Sequence, residues 1–296
     1  MSIIAEIRQP LPGKKTVPLE LILGGKWING NWQDVRLKKI ALGDSDIVVY
    51  DPEHIGRGIY VTWNPNETKE ISLQQPMPTC IEELSVFFEM IRRITEYWHG
   101  SLLVDGNRIK IKTFFDTISD MPRFLRLVVQ KQLIDPILKD GSKTIVLPSV
   151  KWDLVIGRKE AEAFESNPDS FGKWLHEKQI VSAWYANVKV YYVQKTLLAV
   201  YGYTNQHSWI FPNKPMLPLG AKHPGTGKPL HSEDVRTVAW IDDQVHEHLR
   251  QIPYAEFVNR LPEQKVKYYD GGQFLLEPLT LDEIREITFD AVECGQ

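Results

Sequence analysis

Short runs of alternating apolar residues, closed off by Gly, Pro or Asn, occupy much of this chain, and only a few segments carry a helical period. The two kinds of segment do not take turns along the sequence. A doubly wound parallel sheet needs strand and helix in regular alternation, which this pattern argues against. The pattern predicts an α+β fold: mainly antiparallel sheets of short strands with amphipathic helices packed on them. The chain has 296 residues, enough for two domains at about 150 residues each. They are expected as two similar α+β lobes, 1–142 and 143–296, or as one continuous domain. A weak internal echo suggests the lobes: strand 71–73, prolines, then Thr-x-x-Glu, against strand 274–277, Pro278, then Thr-x-x-Glu.

The clearest helix is expected over 80–98. Ile81, Leu84, Phe88 and Ile91 recur at helical spacing, and Thr79 with Glu82 reads as a capping box. Gly100 is expected to end it. A second box, Thr280 with Glu283, opens a final helix. Asn29-Gly30 between Trp27 and Trp32 predicts a two-residue hairpin turn, since both central positions of a type I′ turn need positive φ. A second hairpin is expected at 266–277, around Asp270-Gly271-Gly272. Arg108–Thr113 alternates basic and apolar residues as a half-exposed strand does. Asp120 is expected to cap a helix with Pro122 in its first turn. The stretch 180–203 reads as two strands broken near Gln194-Lys195. Ile241, Val245, Leu249 and Ile252 fit a helix.

Charge narrows the function classes. There are 35 basic and 38 acidic residues, a net of −3, too near neutral for a chain that holds nucleic acid or a membrane by bulk charge. No run approaches the ~20 apolar residues of a membrane span. Acid and proline follow the N-terminus before an apolar run can form a signal peptide, and two distant cysteines cannot build a disulfide framework. A cytoplasmic protein is expected.

Chemical motifs are sparse. His246-Glu247-His248 lies in the segment read as helical, where residues two apart point about 200° from each other and cannot share an ion. With no converging ligand spacing and two thiols far apart, no metal and no cofactor are expected. Residues 220–229 resemble a phosphate loop but have Lys222 where the motif needs Gly and Pro229 where it needs Ser or Thr. Cys80 at a helix start and the turn Asp51-Pro52-Glu53-His54 offer reactive groups without the context that makes a catalytic constellation.

The segment 212–234 stands out. It has five prolines and three glycines and shows no sustained period. Connections longer than about 12–15 residues are uncommon in compact domains. Lys222, His223, Gly225, Gly227, Lys228 and His231 form the candidate binding set, with glycines giving backbone access and lysines mobile charge. Nine tryptophans add a second hint, because Trp serves cores and interface hot spots alike. The expectation is a binding or interaction protein whose partner is a protein or an anionic small molecule. The alternative is a hydrolase or transferase acting on an anionic substrate at 212–234.

Overall fold

A computed structural model describes residues 1–10, 15–31, 46–64, 66, 69–141, 143–193, 196–217, 221–223, 225–231, 235–242 and 249–293. The fold is α+β. The chain divides into two units, Met1–Val181 and Ser182–Gln296, so the segment 143–181 falls with the first.

The first unit opens with β1 (Ser2–Arg8), α1 (Leu19–Leu23), β2 (Ile28–Asn31), β3 (Asp46–Tyr50), β4 (Ile59–Thr62) and β5 (Glu70–Pro76). Then come α2 (Ile81–Trp98), β6 (Ser101–Val104), β7 (Asn107–Ile109), α3 (Ile111–Asp116), α4 (Met121–Val129) and α5 (Asp135–Lys139). A π-helical turn, Gln130–Ile134, links the last two. The unit ends with β8 (Ile145–Leu147), β9 (Leu154–Ile156), α6 (Arg158–Ser166) and α7 (Ser170–Gln179). Seven strands form one antiparallel sheet in the order β2-β3-β4-β5-β1-β6-β7. The apolar stripe of α2 (Leu84, Phe87, Phe88, Ile91, Ile94) belongs to the same buried cluster as Ala5, Ile7, Ile59, Val61 and Leu73 of the sheet.

Several local readings change in this unit. Asn29-Gly30 is no turn; both residues lie in β2, paired with Val49 and Val48. The left-handed pair is Gly24 and Gly25, φ 61° and 79°, at the end of α1. Trp32 lies outside the described residues. The strand expected over 108–113 stops at Ile109, because Phe114 and Phe115 are drawn onto Phe88 and the chain coils into α3. The left-handed residue after α2 is His99, φ 50°. Gly100 serves close approach instead: a Cβ there would lie 2.6 Å from the Arg8 carbonyl oxygen.

Thr79 is not the cap of α2 either. Cys80 is, and it makes no side-chain capping bond. The Thr79 hydroxyl donates to the buried Glu83 carboxylate. Glu83 also accepts from the Gly58 amide (2.7 Å), the Arg57 amide (2.9 Å) and Gln75 Nε2 (2.9 Å). A Cβ at Gly56 would lie 2.6 Å from the carboxyl carbon, so glycine is what lets the loop close over Glu83. The Arg57 guanidinium donates to the carbonyls of Met77 and Pro148, and burial pulls its pKa below the usual value. Gln179 and His176 of α7 complete the clamp: Gln179 Nε2 donates to Gly56 O (2.6 Å), and His176 Nδ1 accepts from the Ile55 amide (3.0 Å).

The second unit contains β10 (Trp184–Tyr185), β11 (Lys189–Val193), β12 (Thr196–Tyr203), β13 (Trp209–Pro212), β14 (Arg236–Asp242) and β15 (Leu249–Pro253). After these come α8 (Tyr254–Arg260), β16 (Val266–Asp270), β17 (Gln273–Leu276), α9 (Leu281–Ile287) and β18 (Val292–Glu293). They build a four-stranded sheet, β10-β13-β17-β16, and a five-stranded sheet, β11-β12-β14-β15-β18. The core is aromatic: Tyr201, Tyr203, Trp209, Phe211, Tyr254, Phe257 and Phe274.

The helix expected from Ile241 to Ile252 is not formed. Residues 249–253 are β15, antiparallel to β14, and Ile252 lies across from Ala239 in the core. The spacing that suits one helix face also suits two inward positions on paired strands. His246, Glu247 and His248 lie outside the described residues. The hairpin at 266–276 forms as expected, and Thr280 caps α9 reciprocally with Glu283.

Candidate functional site

Lys189-Val190-Tyr191-Tyr192-Val193 combines β-branched and aromatic residues, the composition of a half-buried strand. It pairs with β12 from Lys189↔Val200 to Val193↔Thr196 and has no other neighbour among the described strands. Among the described residues β11 is therefore an edge, with one side of its backbone unpaired. Such an edge is a template for an incoming strand unless it is covered or blunted.

Alternation sends the two tyrosines to opposite faces. Tyr191 stacks on Trp240 of β14 at 5.5 Å and 19°. Trp240 is fixed in turn by its Nε1 donating to Gln251 Oε1 (3.1 Å). Tyr192, 49% exposed, meets the His223 ring at 5.2 Å. Both faces of the open edge thus carry an accessible aromatic ring backed by a second ring. Lys189 is exposed on the same strand.

His223 brings in the long segment after β13. Its first part is tied down by buried phenols. Tyr254 Oη donates to Pro212 O (2.6 Å), while Tyr201 Oη donates to Met216 O and accepts from Met216 N. Leu217 and Leu230 pack against Leu197, Ala199 and Val235. The length also has a topological reason. β12 and β14 are parallel neighbours, and parallel strands need a long crossover between them.

Within that crossover, Lys222 and Pro229 form an antiparallel bridge. Leu230 N donates to Ala221 O, and His223 N to Lys228 O (2.8 Å). His223 organises the turn. Its Nδ1 accepts from Gly225 N (3.0 Å) and Thr226 N (3.3 Å), and its carbonyl accepts from Gly227 N (2.8 Å). Gly227, φ 67°, needs the left-handed region that glycine tolerates. The structure thus gathers Lys222, His223, Gly225, Gly227 and Lys228 into one turn, with His231 just past the bridge. The glycine amides point to His223, so the groups turned to solvent are the exposed Lys222 and Lys228 side chains.

Sequence reasoning missed Tyr191, Tyr192 and Trp240. Consecutive tyrosines in a period-two segment guarantee that one ring faces away from any core, and that signal was available. Trp27, Trp63 and Trp209 are buried, as core packing requires, whereas Trp184 is 50% exposed and stacks on His207 at 4.5 Å.

The remaining candidates lie in the first unit. Asp51, Glu53 and His54 bring one ligand atom each within 4.8 Å of one another on the turn after β3. Asp51 Oδ1 already accepts from the Glu53 amide (2.9 Å). Cys80 is buried, and desolvation with Glu83 nearby pushes its thiol well above the usual pKa. A neutral thiol is a poor nucleophile despite its place at a helix start.

An open aromatic edge on a two-unit α+β scaffold defines a class of architecture rather than a known activity. The chain belongs to the family described as a domain of unknown function, DUF4299, which matches residues 2–287. No curated protein and no solved structure matches it. No helix among the described residues is long and apolar enough to cross a membrane.

Proposed function

We propose that this is a cytoplasmic binding protein that captures an extended acidic segment of a partner protein along β11. The observation that carries the proposal is the unpaired edge with an accessible tyrosine on each face, Tyr191 backed by Trp240 and Tyr192 backed by His223. An added strand gains main-chain hydrogen bonds from the edge, and alternate side chains fall on the two ring pairs. Lys189, Lys222 and Lys228 give the region its sign, so carboxylates on the incoming strand are favoured. The buried free thiol of Cys80 fits a reducing compartment.

The test is selection from a random peptide library displayed on phage, followed by fluorescence anisotropy with the enriched peptides. Enriched peptides should be acidic with alternating apolar residues. Their affinity should fall at least about tenfold in a Tyr191→Ser/Tyr192→Ser variant, the loss typical of aromatic hot spots. Lys222→Ala/Lys228→Ala should weaken binding most at low salt, because charges are screened beyond about 8 Å at physiological ionic strength. Amide exchange across 189–193 should slow on binding. Absence of enrichment, or binding unchanged by the tyrosine pair, rejects the edge as the site.

A further inference from the structure

Spacing along the chain predicts no metal centre, yet the turn after β3 gathers a set of metal donors. We propose that Asp51, Glu53 and His54 bind one zinc ion.

One ligand atom from each of the three residues lies within 4.8 Å of the other two. His54 Nδ1 stands 3.7 Å from Asp51 Oδ2. N–H···O bonds run about 2.7–3.2 Å, so this separation is wider than a hydrogen bond. An ion spans it. Zinc sits about 2.0–2.2 Å from nitrogen and oxygen ligands, which lets two of them stand up to about 4.3 Å apart. Glu53 is exposed, and rotation of its side chain closes the remaining ~0.5 Å.

Charge points the same way. Asp51 faces His54, and neither Asp51 nor Glu53 pairs with a Lys or Arg among the described residues. Two carboxylates held on one turn repel each other unless a cation lies between them.

The backbone under the donors is fixed. Asp51 Oδ1 accepts from the Glu53 amide (2.9 Å) and Asp51 O from the His54 amide (3.2 Å), which leaves Oδ2 for the ion. The next residue, Ile55, is buried, and its amide donates to His176 Nδ1 (3.0 Å). Cys80 Sγ donates to His54 O (3.8 Å). Glu83 then holds the amides of Arg57 and Gly58. Donors on a backbone already held in place lose little freedom when the ion arrives.

The donor types select the ion. Mg²⁺ and Ca²⁺ take oxygen ligands, whereas imidazole suits zinc, which also accepts carboxylates. Three protein ligands leave a fourth position for water, the open form of a zinc site.

Titration calorimetry of the full chain, stripped with EDTA and dialysed, tests this with Zn²⁺, Mg²⁺ and Ca²⁺. One equivalent of Zn²⁺ should bind, at least about tenfold more tightly than either hard ion. His54→Ala and Glu53→Gln change exposed side chains, and Asp51→Asn keeps the acceptor for the Glu53 amide. Each should weaken that equivalent at least about tenfold, since losing even an outer-shell partner costs about 10–100-fold. His246→Ala/His248→Ala should leave it unchanged. Co²⁺ in place of Zn²⁺ should give visible absorption bands that disappear in His54→Ala. Absence of a zinc equivalent overturns the proposal. So does equal affinity for Mg²⁺, which removes the imidazole from the site. Zinc that survives the three ligand variants, or is lost with His246 and His248, is adventitious and overturns it too.

Discussion

The two units anchor a loop by opposite means. In the first, one buried carboxylate, Glu83, gathers two loop amides, an amide side chain and a hydroxyl. In the second, neutral phenols do the work: Tyr254 holds Pro212, Tyr201 holds Met216 and Tyr203 accepts from the Leu279 amide (2.9 Å). A charge can satisfy several donors at once but must be fully matched. A phenol satisfies one or two groups, and its ring adds apolar burial at the same position. The first strategy concentrates risk in one residue, whereas the second spreads it over an aromatic core.

The largest effect is expected from Glu83→Gln. It places an amide donor against groups that already donate. The expected cost is about 3–5 kcal/mol, the range for breaking a buried charged network. Native-state hydrogen exchange should show the loss in peptides of the first unit, above all 51–58. An exchange pattern unchanged there would mean that Glu83 is not the anchor.

Alkaline pH probes the second unit. Burial pushes the Tyr201 and Tyr203 phenols up to about 12, against about 10 in an unfolded chain. Raised phenol pKa values contribute stability that is complete below about pH 10 and is lost as pH rises through about 12. Each shift is worth on the order of 2 kcal/mol. Denaturant melts between these limits should fall steeply, and Tyr203→Phe should flatten the slope. A flat profile in the wild type would contradict the burial of these hydroxyls.

Smaller effects are expected at Thr280, Thr79 and Arg126. Thr280→Ala removes a working cap and should cost about 1 kcal/mol. Thr79→Ala leaves α2 as uncapped as before; its effect should appear in the 51–58 loop through Glu83 and add little to a Glu83→Gln background in a double-mutant cycle. Arg126→Ala breaks an exposed pair with Asp169 and should change stability by less than about 1 kcal/mol. If the Arg126 variant proves as damaging as the Glu83 one, the distinction between buried and surface charge fails here.

Local signals were legible where a few neighbouring residues decide the outcome. The stripe of α2, the Thr280–Glu283 box and the turn between β16 and β17 all follow from contacts a few residues apart, and the irregular order of strand and helix patterns gives α+β. Of the candidate site, the sequence shows the lysine–glycine turn, because prolines and glycines mark it. It does not show that the glycine amides turn inward to His223, or that Tyr192 stands against that ring.

The tertiary structure settled what short spacing leaves degenerate. Leu249 and Ile252 sit in a strand because β14 supplies hydrogen-bonding partners and the aromatic core takes Ile252. Asn29-Gly30 lies in β2 because pairing with β3 outweighs the turn preference. Thr79 is not the cap of α2 because the helix starts one residue later, after Cys80, and the Thr79 hydroxyl donates to the buried Glu83 carboxylate. β11 is an edge only because the chain returns to pair β14 with the far side of β12. Apart from Thr79, whose partner Glu83 lies four residues on, these outcomes depend on a partner strand elsewhere in the sequence, and residue periodicity carries no information about which strand that is.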